Sequence, residues 1–228
     1  MTVNKVFATC QDAVADIPDG ATIMFGGFGG AGSPMNLIQA LREQGAKNLT
    51  TIGNGCPAPL VENHQVTKAI AAFPVPASLS RRGMTTLEQK VNEGVIELEI
   101  TPQGTLAERI RAGGAGIGGF YTPTGVGTII DKGKEKKVID GKEHILELAL
   151  KADYAFIKAY KADKMGNLVY RMASRNFNIP MATAAKVTIV EVDELLEIGE
   201  LDPEIIVTPG IYVHRIVKVP RVQVQWRS

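Results

Sequence analysis

Five glycines in seven positions, Gly26, Gly27, Gly29, Gly30 and Gly32, stand between an apolar run (residues 21–25) and a helix start. Such density makes the backbone bend sharply, enter positive φ, or admit a neighbour closer than a Cβ allows. Ser33 is a good N-cap, and Pro34 suits the first helical position, where its missing N–H costs nothing. Leu37, Ile38 and Leu41 then line one helical face until Gly45 stops the helix. Bare amides at the positive end of that helix form an anion or oxyanion site. A tight turn packed under a neighbouring strand accounts for one or two glycines; five point to the approach of a ligand.

A chain of 228 residues suits one α/β domain covering 1–228, and 45% hydrophobic residues suffice for a substantial core. The formal net charge of +1 supplies no field for nucleic acid, and no basic stripe carries interleaved aromatics. No signal-peptide core opens the sequence, and no apolar run is long enough to span a bilayer. Cys10 and Cys56 make neither a disulfide framework nor a metal cluster, so the expectation is a soluble cytoplasmic protein with reduced thiols and no membrane partner.

Residues 49–52 read as a second strand, making a βαβ unit with the first and requiring parallel pairing. The loop that follows, Gly53-Asn54-Gly55-Cys56-Pro57, lies at a strand's carboxyl end, where open α/β sheets bind ligands. Residues 68–73 are a third strand, and residues 95–100 alternate as a half-exposed one. Thr85 and Glu88 have capping-box spacing, as do Thr105 and Glu108, which places Gln103 between a strand and a helix that ends at Gly113-Gly114. Residues 112–127 are glycine-rich and read as a long functional loop. Strands are expected at 154–160, 168–170, 186–192, 205–207 and 212–219. Strands alternating with helices give an open, largely parallel α/β sheet flanked by helices.

Residues 27–32 satisfy G-x-G-x-x-G, but the acid expected about 20 residues later for a dinucleotide ribose is missing. Neither glycine loop ends in Gly-Lys-Ser/Thr, which removes a P-loop. His64, His144 and His214 have no metal-ligand spacing, so no metal site is expected and each reads as a satisfied histidine. Cys56 has no histidine nearby in sequence to activate it and reads as a small buried thiol.

The spacing Asp19-Gly20-x-x-Ile23-Met24-Phe25-Gly26-Gly27-Phe28-x-x-x-Gly32-x-Pro34 resembles the N-terminal signature of the A-type (alpha) subunit of family I coenzyme A transferases, the 3-oxoacid type. Residues 101–106 (TPQGTL), 111–116 (RAGGAG), 120–127 (FYTPTGVG), 174–180 (SRNFNIP) and 207–214 (VTPGIYVH) resemble further family blocks, in the family's order. The resemblance implies an enzyme that moves coenzyme A between an acyl-CoA and a free carboxylic acid, with coenzyme A as substrate and no tightly bound cofactor. It implies that a glutamate of a second, B-type subunit attacks the thioester, and that the two kinds of subunit form an α2β2 heterotetramer. Gln103 matches the family's oxyanion donor. Gly26, Gly27, Phe28, Gly29, Gly30, Ala31 and Gly32 match the segment associated with coenzyme A, and Asn54 an asparagine near the acyl pocket.

Residues 57–83 depart from the serine- and glycine-rich stretch of relatives that use short 3-oxo acids. Arg81 or Arg82 there is a candidate partner for the second carboxylate of a dicarboxylic acid. Two rivals remain open on sequence: a CoA-thioester hydrolase of the same fold, and a non-catalytic nucleotide-binding regulatory module.

Overall fold

The computed structural model describes residues 4–74 and 84–220. In chain order the elements are β1 (Val6–Phe7), α1 (Cys10–Val14), β2 (Thr22–Phe25), α2 (Met35–Gln44), β3 (Leu49–Gly53), α3 (Ala58–Glu62), β4 (Val66–Ala71), α4 (Thr86–Asn92), β5 (Glu97–Ile100) and α5 (Gln103–Ala115). There follow β6 (Gly119–Thr122), β7 (Lys136–Ile139), β8 (Lys142–Leu148), β9 (Ala152–Asp163), β10 (Leu168–Val169), α6 (Asn178–Thr183), β11 (Ala185–Leu196) and β12 (Arg215–Lys218).

The main sheet runs β1-β12-β11-β9-β2-β3-β4-β5, with β10 beside β9. Every pairing in it is parallel except β10 with β9. From β2 the chain steps outward through β3, β4 and β5; from β9 it steps the other way. The direction reverses between β2 and β9, so the loops leaving the carboxyl ends of the strands open a crevice there.

Alternate residues of the strands feed two cores. Ile23 and Phe25 of β2 pack with α1 to α4 on one face, while Met24 packs with Leu106 and Ile110 of α5 and Met181 of α6 on the other. Leu106 and Ile110 are fully buried, each contributing roughly 1.5–3 kcal/mol to holding α5 against the sheet. Phe25 and Phe156 meet edge to face across the β2–β9 pair, with ring centroids 5.4 Å apart.

Several sequence expectations are corrected. Residues 112–127 are not one loop: α5 continues to Ala115, Gly116 caps it in the left-handed region, and β6 follows. Gly113 and Gly114 mark close packing rather than a helix stop, since a Cβ on them would lie 1.9 Å from Leu150 O and 2.0 Å from Thr183 Oγ1. With β7 and β8, β6 forms a separate three-stranded antiparallel sheet that the sequence does not announce. Thr105 is no cap: α5 begins at Gln103 behind Pro102, Thr105 is buried in the first turn, and Glu108 pairs with Arg111. Residues 205–207 are not a strand; a 3-10 turn spans Pro203–Ile205, and the neighbouring Thr208 makes only an isolated bridge to Leu168. The Thr85–Glu88 capping box is present with both of its arms.

Arg109 of α5 ties the small sheet to the end of β5. Its Nε donates to Leu148 O at 2.8 Å, and its Nη1 to Glu99 at 2.8 Å and Thr101 Oγ1 at 3.3 Å. At the opposite end of the main sheet, His214 Nδ1 accepts from the Thr188 amide at 3.0 Å. Although His214 keeps an exposed edge, partial burial of the imidazole lowers its pKa, and the charges of Lys5 and Arg215 add to this. A histidine whose folded pKa is depressed is protonated more readily in the unfolded chain, so stability falls as pH drops through and below about 6.5. The expected result is a melting temperature that declines from pH 7.5 to 5.5, with a shallower slope in His214→Gln. Equal slopes in the two proteins would remove His214 from the account.

Candidate active site

Four strand ends converge at the crevice. Gly26 follows β2, Asn54 follows β3, Phe73 lies beyond β4, and Gln103 opens α5 just after β5. The loops are fastened across the sheet: Gly26 N donates to Phe156 O at 2.9 Å, Phe73 N to Asn54 O at 2.7 Å, and Thr101 N to Ala71 O at 3.0 Å.

Gln103 and Asn54 are 49 residues apart in sequence, yet Gln103 Nε2 donates to Asn54 Oδ1 at 2.8 Å. This bond fixes the orientation of both amides. It leaves one Gln103 Nε2 proton and the Asn54 Nδ2 protons as further donors. Asn54 lines a cleft of about 540 Å³ with Gly26 to Gly30, Cys56 and Phe73, and Gln103 lines a second hollow of about 330 Å³ with Ala107, Asn176 and Pro180. Phe28, 47% exposed, lines both.

The glycines divide into two kinds. Residues 28–31 close a two-residue turn in which Phe28 and Ala31 exchange backbone hydrogen bonds of 3.0 Å in each direction. Gly29 and Gly30 sit at φ +56° and +87°, values that a type I′ turn requires of its central pair. A Cβ on either would meet nothing within 4 Å, so these two face open space. Gly26 and Gly32 are packed instead: a Cβ would come within 1.9 Å of Asn178 Oδ1 and 2.7 Å of Asn178 Nδ2 respectively. Close packing under the chain's own residues thus explains those two glycines, and likewise Gly27, where a Cβ would lie 2.4 Å from Ser33 Oγ, whereas Gly29 and Gly30 form the exposed turn at the cleft.

The anion site expected at the head of α2 is occupied by the protein itself. Ser33 does not cap the helix; Pro34 holds the N-cap position with no side-chain cap, and the helix starts at Met35. The Glu191 carboxylate, 1% exposed, accepts from Asn36 N at 2.9 Å, Leu37 N at 3.1 Å and Asn36 Nδ2 at 3.1 Å. Lys158 Nζ, 3.2 Å away, balances its charge. No sequence spacing pointed to Glu191, because it lies 155 residues from Asn36 and the two meet only in the fold.

Cys56 is a partly buried thiol whose pKa burial raises to about 11, with Thr51 Oγ1 3.4 Å away, which disfavours the thiolate at neutral pH. Arg81 and Arg82 lie outside the described residues.

Residues 7–219 match the coenzyme A transferase family, and the chain belongs to that family. Relatives that it matches along most of their length include A-type subunits of such enzymes. It is 48% identical over 223 residues to that subunit of the 3-oxoadipate CoA-transferase of Pseudomonas putida, covering 95% of this chain and 94% of that one. It is 47% identical over 221 residues to the corresponding subunit of the probable succinyl-CoA:3-ketoacid coenzyme A transferase of Bacillus subtilis, covering 94% and 90%. In fold it resembles an acyl-CoA transferase of Escherichia coli O157:H7 solved as a thioester complex with CoA, with a TM-score of 0.82 at 22% identity. That alignment covers 96% of this chain and 50% of the longer one. The chain is an A-type subunit of a CoA-transferase, acting on coenzyme A carried between an acyl-CoA and an acid. Among the described residues no helix is long and apolar enough to cross a membrane.

Proposed function

We propose that this chain supplies the charge-stabilising half of a CoA-transferase centre, and that a B-type subunit supplies the attacking glutamate. The observation that carries this is the Gln103–Asn54 contact at the carboxyl edge of the sheet, beside the open Gly29-Gly30 turn. Exchange of coenzyme A by a carboxylate nucleophile passes through tetrahedral species whose oxyanion needs fixed donors. A primary amide held by a second amide is such a donor: its direction is set before the charge develops, so little reorganisation accompanies the reaction. The amides of Gly29 and Gly30 find no acceptor among the described residues, which suits them to polar groups of the coenzyme A chain.

The names of the relatives, 3-oxoadipate and succinyl-CoA:3-ketoacid transferases, favour a dicarboxylic or 3-oxo acid as the substrate. The B-type subunit of the same enzyme is the partner, in an α2β2 heterotetramer in the cytoplasm, and Arg81 or Arg82 is the candidate contact for a second carboxylate. A CoA-thioester hydrolase and a regulatory module find no support among the relatives.

The purified chain alone is expected to exchange no coenzyme A between succinyl-CoA and a 3-oxo acid. Adding the matching B-type subunit restores exchange. Turnover by the lone chain would place a nucleophile within these 228 residues and overturn the division of labour.

A further inference from the structure

The glycine turn is not held only by its own strand. We propose that residues 174–178 form a strap that positions this turn for the acyl-CoA, with Asn178 and Asn176 as positioning residues; this rests on the turn being a coenzyme A contact.

Asn178 is 0% exposed and lies 146 residues from the loop it grips. Its Nδ2 donates to Gly32 O at 2.9 Å and to Ser174 O at 2.8 Å, and its Oδ1 accepts from Lys158 N of β9 at 3.0 Å. One side chain therefore joins the end of the glycine loop, the strap and the central strand beside β2. Asn176 Nδ2 donates to Ala31 O at 3.0 Å, giving that carbonyl a second donor besides Phe28 N. Two successive carbonyls of the loop, those of residues 31 and 32, are tied to the strap, whereas the amides of Gly29 and Gly30 are left without an acceptor among the described residues.

The glycines on either side of the turn match this grip. At Gly32 the strap comes so close that a Cβ would lie 2.9 Å from Ser174 Cα, and at Gly26 it would strike Asn178 Oδ1. Such contacts leave the loop one position relative to the sheet. A binding loop ordered in advance loses less conformational freedom when the ligand arrives, which strengthens binding without adding a contact. The strap also lines the second hollow through Asn176 and Phe177, together with Gln103 and Phe28, so the two regions share one support.

The experiment uses the enzyme assembled with its B-type subunit. Asn178→Asp keeps the size of the side chain and the acceptor for Lys158 N, but removes both donors and sets a carboxylate against two carbonyls. Asn176→Ala removes the second tie at a partly exposed position. In each variant KM for the acyl-CoA is expected to rise about tenfold or more with kcat within about threefold of wild type, the pattern of lost uniform binding. Calorimetric Kd for free coenzyme A rises in parallel. A role in stability alone would lower the melting temperature and leave KM and Kd within twofold, which would overturn the proposal. If Asn178→Asp does not assemble, Asn176→Ala decides. If the wild-type assembly transfers no coenzyme A, the proposed function fails instead, so the two failures are distinct.

Discussion

Gln103→Ala in the assembled enzyme is expected to lower kcat by about tenfold to a thousandfold, the range for loss of one oxyanion donor. The physical basis is a donor whose position is fixed twice: once by the first turn of α5, and once by the bond from its Nε2 to Asn54 Oδ1 at 2.8 Å. An interaction made mainly in the transition state lowers kcat and kcat/KM together, whereas one equally present with bound substrate raises KM alone. Steady-state kinetics therefore separate the two roles. A rise in KM at constant kcat would make Gln103 a binding residue and move oxyanion stabilisation elsewhere. Asn54→Ala frees the Gln103 amide to rotate, so its effect and that of Gln103→Ala should be less than additive in the double variant.

How far the sequence discloses this site depends on the range over which each determinant acts. The βαβ unit, the Thr85 capping box and the placement of Gly29-Gly30 at a sharp turn are local, and periodicity and turn chemistry find them. Gln103 and Asn54 are found as separate residues, but their contact requires β3, β4 and β5 to lie side by side in parallel register. Glycine is the ambiguous signal. The same residue type serves a positive-φ turn at Gly29 and Gly30, backbone clearance at Gly113, and clearance for an asparagine at Gly26. Only the neighbours distinguish these uses. The small antiparallel sheet escapes the sequence for a related reason: most of β7 and the start of β8 are exposed, and charged pairs (Lys136-Lys137 and Lys142-Glu143) open both strands, so no apolar alternation marks those stretches.

The buried carboxylate at the head of α2 leads to the largest expected loss of stability. Glu191→Ala withdraws the acceptor from the Asn36 and Leu37 amides and leaves Lys158 without one of its counter-charges in a largely buried setting. Removing one member of a buried, hydrogen-bonded ion pair costs about 3–5 kcal/mol, which for a chain of this size corresponds to a melting temperature lower by roughly 10 °C. The loss has a specific chemical signature. With Glu191 truncated, the helix terminus and Lys158 together present donors and positive charge to a space the size of a small carboxylate. Formate or acetate is therefore expected to recover part of the stability of Glu191→Ala in a concentration-dependent way, following the linkage of a ligand that binds only the folded state. Wild type, whose own carboxylate fills the position, should gain nothing beyond what chloride at equal ionic strength provides. Equal gains in both proteins would mean that the anions act through general salt effects, and that the terminus of α2 does not depend on Glu191.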